Sequence, residues 1–439
     1  MRPKLHFTPR TGWTNDPNGL FFDGNVYHLF AQHNPDATVW GPMHWLHATS
    51  PDLLHWTERG ISLFPNELGT MFSGSMVRDP ANTAGFGTNA YVAMFTQHGA
   101  TQTQSLAYSI DGHHFTCYPG NPIVENPGIA DFRDPKVFWD DARKRWAMAL
   151  AARDHIQFYA SPNLKCWLKT GEWVMEDLRF YGDVLECPDL FELSGDGLNA
   201  WALTMSVGAS GVLGGGKVWY LLGAYDGETF HPFQNEKPRR LDVGPDDYAG
   251  VTFNGLTECV YIGWAANPAY ADTVPDANGY RGQMTLPRRL SLVKTVAGPR
   301  VAAMPVLPDA VAETVSGGYG LPDAPLALRL VAEDGFHAAF ENDRGERLAF
   351  GLDEQGFWLD RRGAGTKGFS ETFDRLSFVR AERAHSGQAD VLATLDGGIL
   401  ELYADGGLIC ATMLAFPSGA YDRLRLEGAK ELSIIKLGI

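Results

Sequence analysis

A strand-like segment recurs along the first 270 residues of this chain: VYHLFAQHN from Val26, AYVAMFTQHG from Ala90, RWAMALAARD from Arg145, AWALTMSVGA from Ala200 and VYIGWAANP from Val260. The period is about 55 to 65 residues, and long amphipathic helical patterns are missing between the copies. A second signal keeps the same beat. Each of the first four copies is followed by a strand ending in a related turn: SPDLLHW at Ser50, SIDGHHF at Ser109, SPNLKCW at Ser161 and AYDGETF at Ala224. Asp or Asn stands third and an aromatic last, as expected where an Asx side chain closes a turn and the aromatic packs back between sheets. Two phases agreeing on one period point to about five all-β units of roughly four strands each. That is what a five-bladed β-propeller needs, the alternative being a series of sandwiches without ring closure.

From about residue 316 the texture changes to charged, alternating strands such as LALRLVAE, RLAFGLDEQGFWLDR and GILELYADGGLICATMLAFP. Period-two alternation with Gly and Asp turns reads as an antiparallel β-sandwich. The expected organisation is therefore a propeller over 1–300, a linker with one helical turn over 301–315, and a sandwich over 316–439. Composition narrows the partners. A formal charge of −16 over 439 residues repels phosphate backbones and anionic lipid, so neither nucleic acid nor a membrane surface is an expected partner. No apolar run approaches the length of a bilayer span and the opening MRPKLHFTPRTGW lacks the apolar core of a secretion signal, so the chain reads as cytoplasmic. Five cysteines without a CxxC pair argue against a disulfide framework or structural zinc, and most read as small buried hydrophobes.

The innermost strand of each propeller blade lines the central channel, so residues at one end of these strands share one mouth. Just upstream of the recurring segments, blade one offers NDPNGLFF with Asp16, blade three FRDPKVFW with Asp134, and blade four ECPDLFEL with Glu186. Each acid has a proline one or two residues later that fixes the backbone. One acid before Pro is ordinarily structural. Three in equivalent blade positions gather like charge near one axis, which is costly and is tolerated where it serves function. Paired carboxylates suit glycosidic cleavage, one attacking or stabilising an oxocarbenium-like centre while the other protonates the leaving oxygen. Trp13, Trp40, Trp45, Phe72 and Trp264 are candidate faces for sugar rings.

The ordered set WTNDPNG, QHNP, WGPMHWLHATSPDLLHW, FSGSMV, FRDPKV, ECPDLFEL and GQMTLPRRL resembles glycoside hydrolase family 32, the invertase, inulinase and levanase family, across most of the chain. The resemblance implies a five-bladed propeller with a trailing sandwich, and retaining hydrolysis of terminal β-D-fructofuranosides from sucrose or short fructans with no metal or organic cofactor. By motif position Asp16 corresponds to the nucleophile, Asp134 to the transition-state stabiliser and Glu186 to the acid/base. Asn15, Gln32, Trp40, Phe72, Ser73, Arg133 and Trp264 correspond to the fructose pocket. The expected division of labour has Asp16 ionised and Glu186 held protonated by its anionic neighbours. Thr14, Leu46, Asp247 and Val251 depart from the family pattern; Asp247 either reaches a sugar hydroxyl or faces water, the second being favoured.

Two motifs imitate other chemistry. GVLGGGKV from Gly211 imitates a phosphate loop, but Val218 follows Lys217 and a strand-like stretch comes next, so it reads as a hairpin loop. His28, His33, His44 and His47 sit on alternating strand positions without carboxylates at ligand spacing, so they read as strand and rim histidines rather than a metal site. Beside sucrose or short-fructan hydrolysis, the same site would serve a transfructosylase, an exo-acting levanase or inulinase, or a fructoside-binding protein without turnover.

Overall fold

A computed structural model describes residues 1–208, 210, 216–276, 279–308, 312–313, 319–322, 324–333 and 335–437. Five antiparallel sheets follow one another along the chain and form the blades of a β-propeller. Their inner strands are Gly12–Phe22, Thr70–Asp79, Phe132–Asp140, Leu185–Gly195 and Tyr248–Thr252. The recurring segments seen in the sequence are the second strands, Tyr27–Asn34, Ala90–His98, Arg145–Ala152, Leu198–Val207 and Cys259–Trp264. Apart from the first four residues of Leu198–Val207 they are almost wholly buried because sheets cover them on both sides, which is why they read as apolar runs rather than alternations. The ring is closed by Tyr280–Arg281, which pairs in parallel with Gly12–Trp13 at the edge of blade one.

The four repeated turns are Asx turns. One side-chain oxygen of Asp52, Asp111, Asn163 and Asp226 accepts from the two backbone N–H groups two and three residues on, at 2.8–3.1 Å. The aromatics that end these motifs, Trp56, Phe115, Trp167 and Phe230, pack into the cores between blades.

Beyond blade five the chain builds two six-stranded antiparallel sheets whose inner faces share one core, including Leu328, Phe340, Phe350, Leu402 and Met413. The expected linker over 301–315 begins inside a strand: Gly298–Pro305 is the outer strand of blade five, paired along its length with Arg288–Thr295. Ala312–Glu313 pairs with Ile434–Ile435 as an edge strand of the sandwich, where a helical turn was expected; the rest of that expected turn lies largely outside the described residues. The loop imitating a phosphate-binding motif likewise lies mostly outside them, between the antiparallel strands Leu198–Val207 and Lys217–Tyr225. Among the described residues, no helix is long and apolar enough to cross a membrane.

Candidate active site

Every inner strand slips register at the same level. Residue pairs 15–16, 72–73, 134–135, 187–188 and 249–250 each stand opposite a single residue of the neighbouring strand. Such two-against-one bulges break the ladder and re-aim side chains. Prolines fit here because they have no N–H to give to the ladder. Pro135 and Pro188 are the second residues of their bulges and Pro17 directly follows the first, so these prolines mark bulges inside the strands rather than strand entry. Three bulges open on a residue in the left-handed region, Asp134 (φ 66°), Cys187 (φ 45°) and Ala249 (φ 54°). That conformation is disfavoured for side chains other than glycine and is held by the surrounding sheet. The three acids are therefore neighbours in phase but not equivalent: Glu186 precedes its bulge, Asp134 is first in its own and Asp16 second.

The five bulges surround one cavity of about 450 Å³ at the channel mouth, lined by the three acids and by all seven residues matched to the fructose pocket, with Trp13 beside them. Asp16 accepts from Ser73 Oγ at 2.6 Å and from Asn15 Nδ2 at 2.9 Å. Asn15 is held in turn by Trp13 Nε1 at 2.7 Å, and Gln32 Nε2 donates to Ser73 Oγ at 3.2 Å. Asp134 Oδ2 accepts from the Cys187 backbone N–H at 2.9 Å. Arg133 spans the acids. Its Nε and Nη2 donate to Glu186 Oε1 at 3.2 and 3.0 Å, its Nη1 to Asp131 at 2.7 Å, and its Nε lies 4.0 Å from Asp134. Trp13 and Trp264 meet edge to face at 5.7 Å and are buried, whereas Trp40 is 52% exposed and packs edge-on to Phe72. Buried groups form the floor and exposed ones the mouth.

Burial raises the pKa of Asp16, with Glu186 adding to the rise and Ser73 opposing it. Asp134 is pushed up to about 7, chiefly by burial and then by the charges of Glu186 and Asp16, against the pull of Arg133. The expected picture of Glu186 surrounded by anions needs correction, because its immediate neighbours also include two donors, the Arg133 guanidinium and the Tyr248 hydroxyl, the latter on Oε2. One cation, the Arg133 guanidinium, thus faces the carboxyl groups of Asp131, Asp134 and Glu186.

Six residues of the cavity lining escaped the sequence reading, His98, Gln102, Tyr248, Pro268, Ala271 and Asp272, as did Cys187 packed against the acids. Tyr248 stands one place before its bulge, the position that Glu186 and Arg133 hold in blades four and three. Aligning the blades by their bulges would have found it. The Cys187 thiol lies 3.7 Å from Asp16 Oδ2 and 3.6 Å from Asp134 Oδ2, so this buried core residue packs directly against the two acids. His98 stacks on Phe72 with ring centroids 4.7 Å apart. Trp45 is no sugar platform: it is fully buried and its Nε1 donates to the Phe72 carbonyl.

Asp247 neither meets the cavity nor faces water. It is 1% exposed, accepts from Tyr261 Oη at 2.9 and 3.0 Å, and lies 3.5 Å from Arg288; burial pushes its pKa up to about 7. The room for it comes from Gly263, where a Cβ would sit 1.9 Å from its Oδ1. The other departures are structural too: Leu46 and Val251 belong to the core, and Thr14 Oγ1 donates to the Gln32 carbonyl at 2.8 Å. His28 Nδ1 and His47 Nε2 are 3.0 Å apart, and His33 bonds the Trp13 carbonyl. Among the described residues no group of three or more His, Cys, Asp or Glu is placed to hold a metal ion.

A propeller with carboxylates gathered at one mouth, followed by a β-sandwich, defines a glycoside hydrolase. Residues 6–304 match the model of the glycosyl hydrolases family 32 N-terminal domain. The chain belongs to that family. It is 36% identical to a levanase of Bacillus subtilis (strain 168) over 98% of this chain and 68% of that protein. It is 36% identical to an invertase of Wickerhamomyces anomalus over 72% of this chain, and spans only 60% of that relative's length. Among solved structures, a fructofuranosidase from Schwanniomyces occidentalis complexed with fructose superposes with a TM-score of 0.91 at 29% identity, covering 99% of this chain and 98% of that one. An exo-inulinase from Aspergillus awamori does so at 0.89 and 28% identity, covering 100% and 98%.

Proposed function

We propose that the protein is a retaining β-fructofuranosidase that removes terminal β-D-fructofuranosyl residues from sucrose or short fructans through a covalent fructosyl-enzyme intermediate. One observation carries the reading: Asp16, Asp134 and Glu186, far apart in the chain, line a single cavity together with aromatic faces and convergent hydrogen-bond donors. In the first step the Asp16 carboxylate attacks the anomeric carbon while Glu186 gives its proton to the glycosidic oxygen, releasing the alcohol. In the second, Glu186 takes a proton from water, whose oxygen displaces Asp16. Ser73 and Asn15 aim the nucleophile and favour its ionised form, partly offsetting its burial. In this reading Asp134, close to Arg133 and Cys187, grips fructose hydroxyls. Nucleophile and acid/base are both side chains, so the chemistry calls for no metal or organic cofactor.

Size and exposure orient the substrate. The buried floor suits one furanose, and the exposed Trp40 and Asp272 at the mouth meet the leaving group. A buried floor beneath an exposed mouth supports cleavage from chain ends. Relatives named levanase and exo-inulinase favour an exo-acting fructan hydrolase as the second reading. Incubation with sucrose, 1-kestose, inulin and levan, with products resolved over time, tests both. Free fructose from sucrose and kestose supports the first, and faster fructose release from levan or inulin the second. Early fructo-oligosaccharides longer than the substrate indicate transfer, and absence of turnover on all four overturns the proposal.

A further inference from the structure

Two short segments of blade five supply cavity residues, and one side chain of the sandwich holds both. The first is Asp246–Tyr248, where Tyr248 donates to Glu186. The second is the rim loop Asn267–Thr273, which contributes Pro268, Ala271 and Asp272 to the cavity wall. Arg361, on the sandwich strand Gly356–Gly363, is 3% exposed. Its Nη1 donates to Asp246 Oδ2 at 2.6 Å and its Nη2 to Tyr270 Oη at 3.1 Å. The Tyr270 hydroxyl in turn donates to Asp246 Oδ1, so the three side chains close a ring of hydrogen bonds.

The ring is locked from the sandwich side. Arg361 also donates to the carbonyls of Leu414 and Phe373, and its guanidinium lies 3.7 Å from the centre of the Phe373 ring. Asp246 Oδ2 accepts from the Leu414 N–H at 2.8 Å. Tyr270, Val274 and Phe373 form a small core beneath the rim loop. A buried, planar, five-donor group can hold several acceptors at fixed angles at once, which a lysine or an apolar residue cannot do.

We infer that Arg361 is a positioning residue of the reaction, by which the sandwich fixes both the Tyr248 hydroxyl against Glu186 and the rim wall that meets the leaving group. This rests on the function proposed above. Removing the guanidinium takes away one hydrogen bond from Asp246 and one from Tyr270 and leaves the buried Asp246 carboxylate without its cation, which loosens the segment two residues from Tyr248 and the loop carrying Asp272. The consequence falls on proton donation to the leaving oxygen and on leaving-group binding, and least on attack by Asp16, which is held from blades one and two.

The test compares wild type with Arg361→Met, Arg361→Lys and Tyr270→Phe on sucrose and on an aryl β-fructofuranoside whose phenolate departs without a proton. Thermal midpoints and far-UV spectra establish the folded fraction. For Arg361→Met we expect kcat/KM on sucrose, which reports the first displacement, to fall tenfold or more with KM raised, kcat/KM on the aryl substrate to fall less than threefold, and Arg361→Lys to recover part of the loss. Tyr270→Phe, which keeps the packing, should raise KM for sucrose with little change in kcat. Equal losses on the two substrates, or a lower thermal midpoint with wild-type kcat and KM in folded protein, overturn the inference. Should Arg361→Met not fold, an unchanged KM in Tyr270→Phe overturns it alone. A wild type inactive on both fructosides removes the function proposal, whereas an active wild type with unaffected variants removes only this one.

Discussion

Replacing Asp134 by Asn should make the protein more stable at neutral pH while removing its activity. Asp134 is 5% exposed and titrates near 7 instead of 3.8, because burial and the charges of Glu186 and Asp16 outweigh the pull of Arg133. The folded protein thus binds this proton more tightly than the unfolded chain does. Between pH 3.8 and about 7 stability falls as pH rises, and above 7 the penalty stands at full size. About three pKa units correspond to ~4 kcal/mol at most. An amide is an imperfect stand-in for the neutral acid, which leaves a gain of ~1–3 kcal/mol for Asp134→Asn at pH 8. Asn keeps an oxygen to accept from the Cys187 N–H, so the fold at the bulge is preserved. Urea unfolding of both proteins, followed by tryptophan fluorescence at pH 4, 6 and 8, should show the difference shrinking toward zero at pH 4 and growing with pH. A variant less stable than wild type at pH 8, or a difference independent of pH, refutes the reasoning.

Asp16→Asn and Glu186→Gln should each lower kcat by orders of magnitude with the fold intact by circular dichroism; near wild-type turnover in either means that its role is misassigned. Tyr248→Phe removes the hydroxyl on Glu186 Oε2 and should reduce kcat on sucrose about tenfold or more, with stability changed by no more than ~1–2 kcal/mol. Burial lowers the pKa of His47 to about 2, so the unfolded chain takes up a proton below about 6.5 that the folded protein refuses, and stability is lost as pH falls. His47→Phe should flatten that acid-side loss between pH 6.5 and 4 in the same urea series; an unchanged slope would show that His47 does not titrate on unfolding.

Much of this architecture was legible because it is periodic. The five second strands are apolar runs, and the Asx turns at Asp52, Asp111, Asn163 and Asp226 recur with them, so two kinds of local chemistry mark one repeat. Asp16, Asp134 and Glu186 stood out since acids beside prolines in one blade phase crowd like charge at one mouth, which the fold alone does not require. The bulges were hidden, because a two-against-one register depends on the partner strand. That is why the acids seemed equivalent and why Tyr248 was passed over for its neighbour. Asp247 directly precedes the strand Tyr248–Thr252, and the two neighbours point apart, Asp247 toward Tyr261 and Arg288 and Tyr248 toward Glu186. Trp45 was misread for a related reason: propeller sheets are covered on both faces, and composition alone does not tell a channel face from an interblade face.

The proposed mechanism requires Asp16 to form a covalent bond to the fructosyl group before water or another acceptor takes it. Hydrolysis of sucrose in aqueous methanol, with the first-formed methyl fructofuranoside identified by NMR before equilibration, examines this most directly. Two displacements return the β-configured methyl fructofuranoside. An α-configured product would mean a single displacement, and would contradict the nucleophilic role of Asp16.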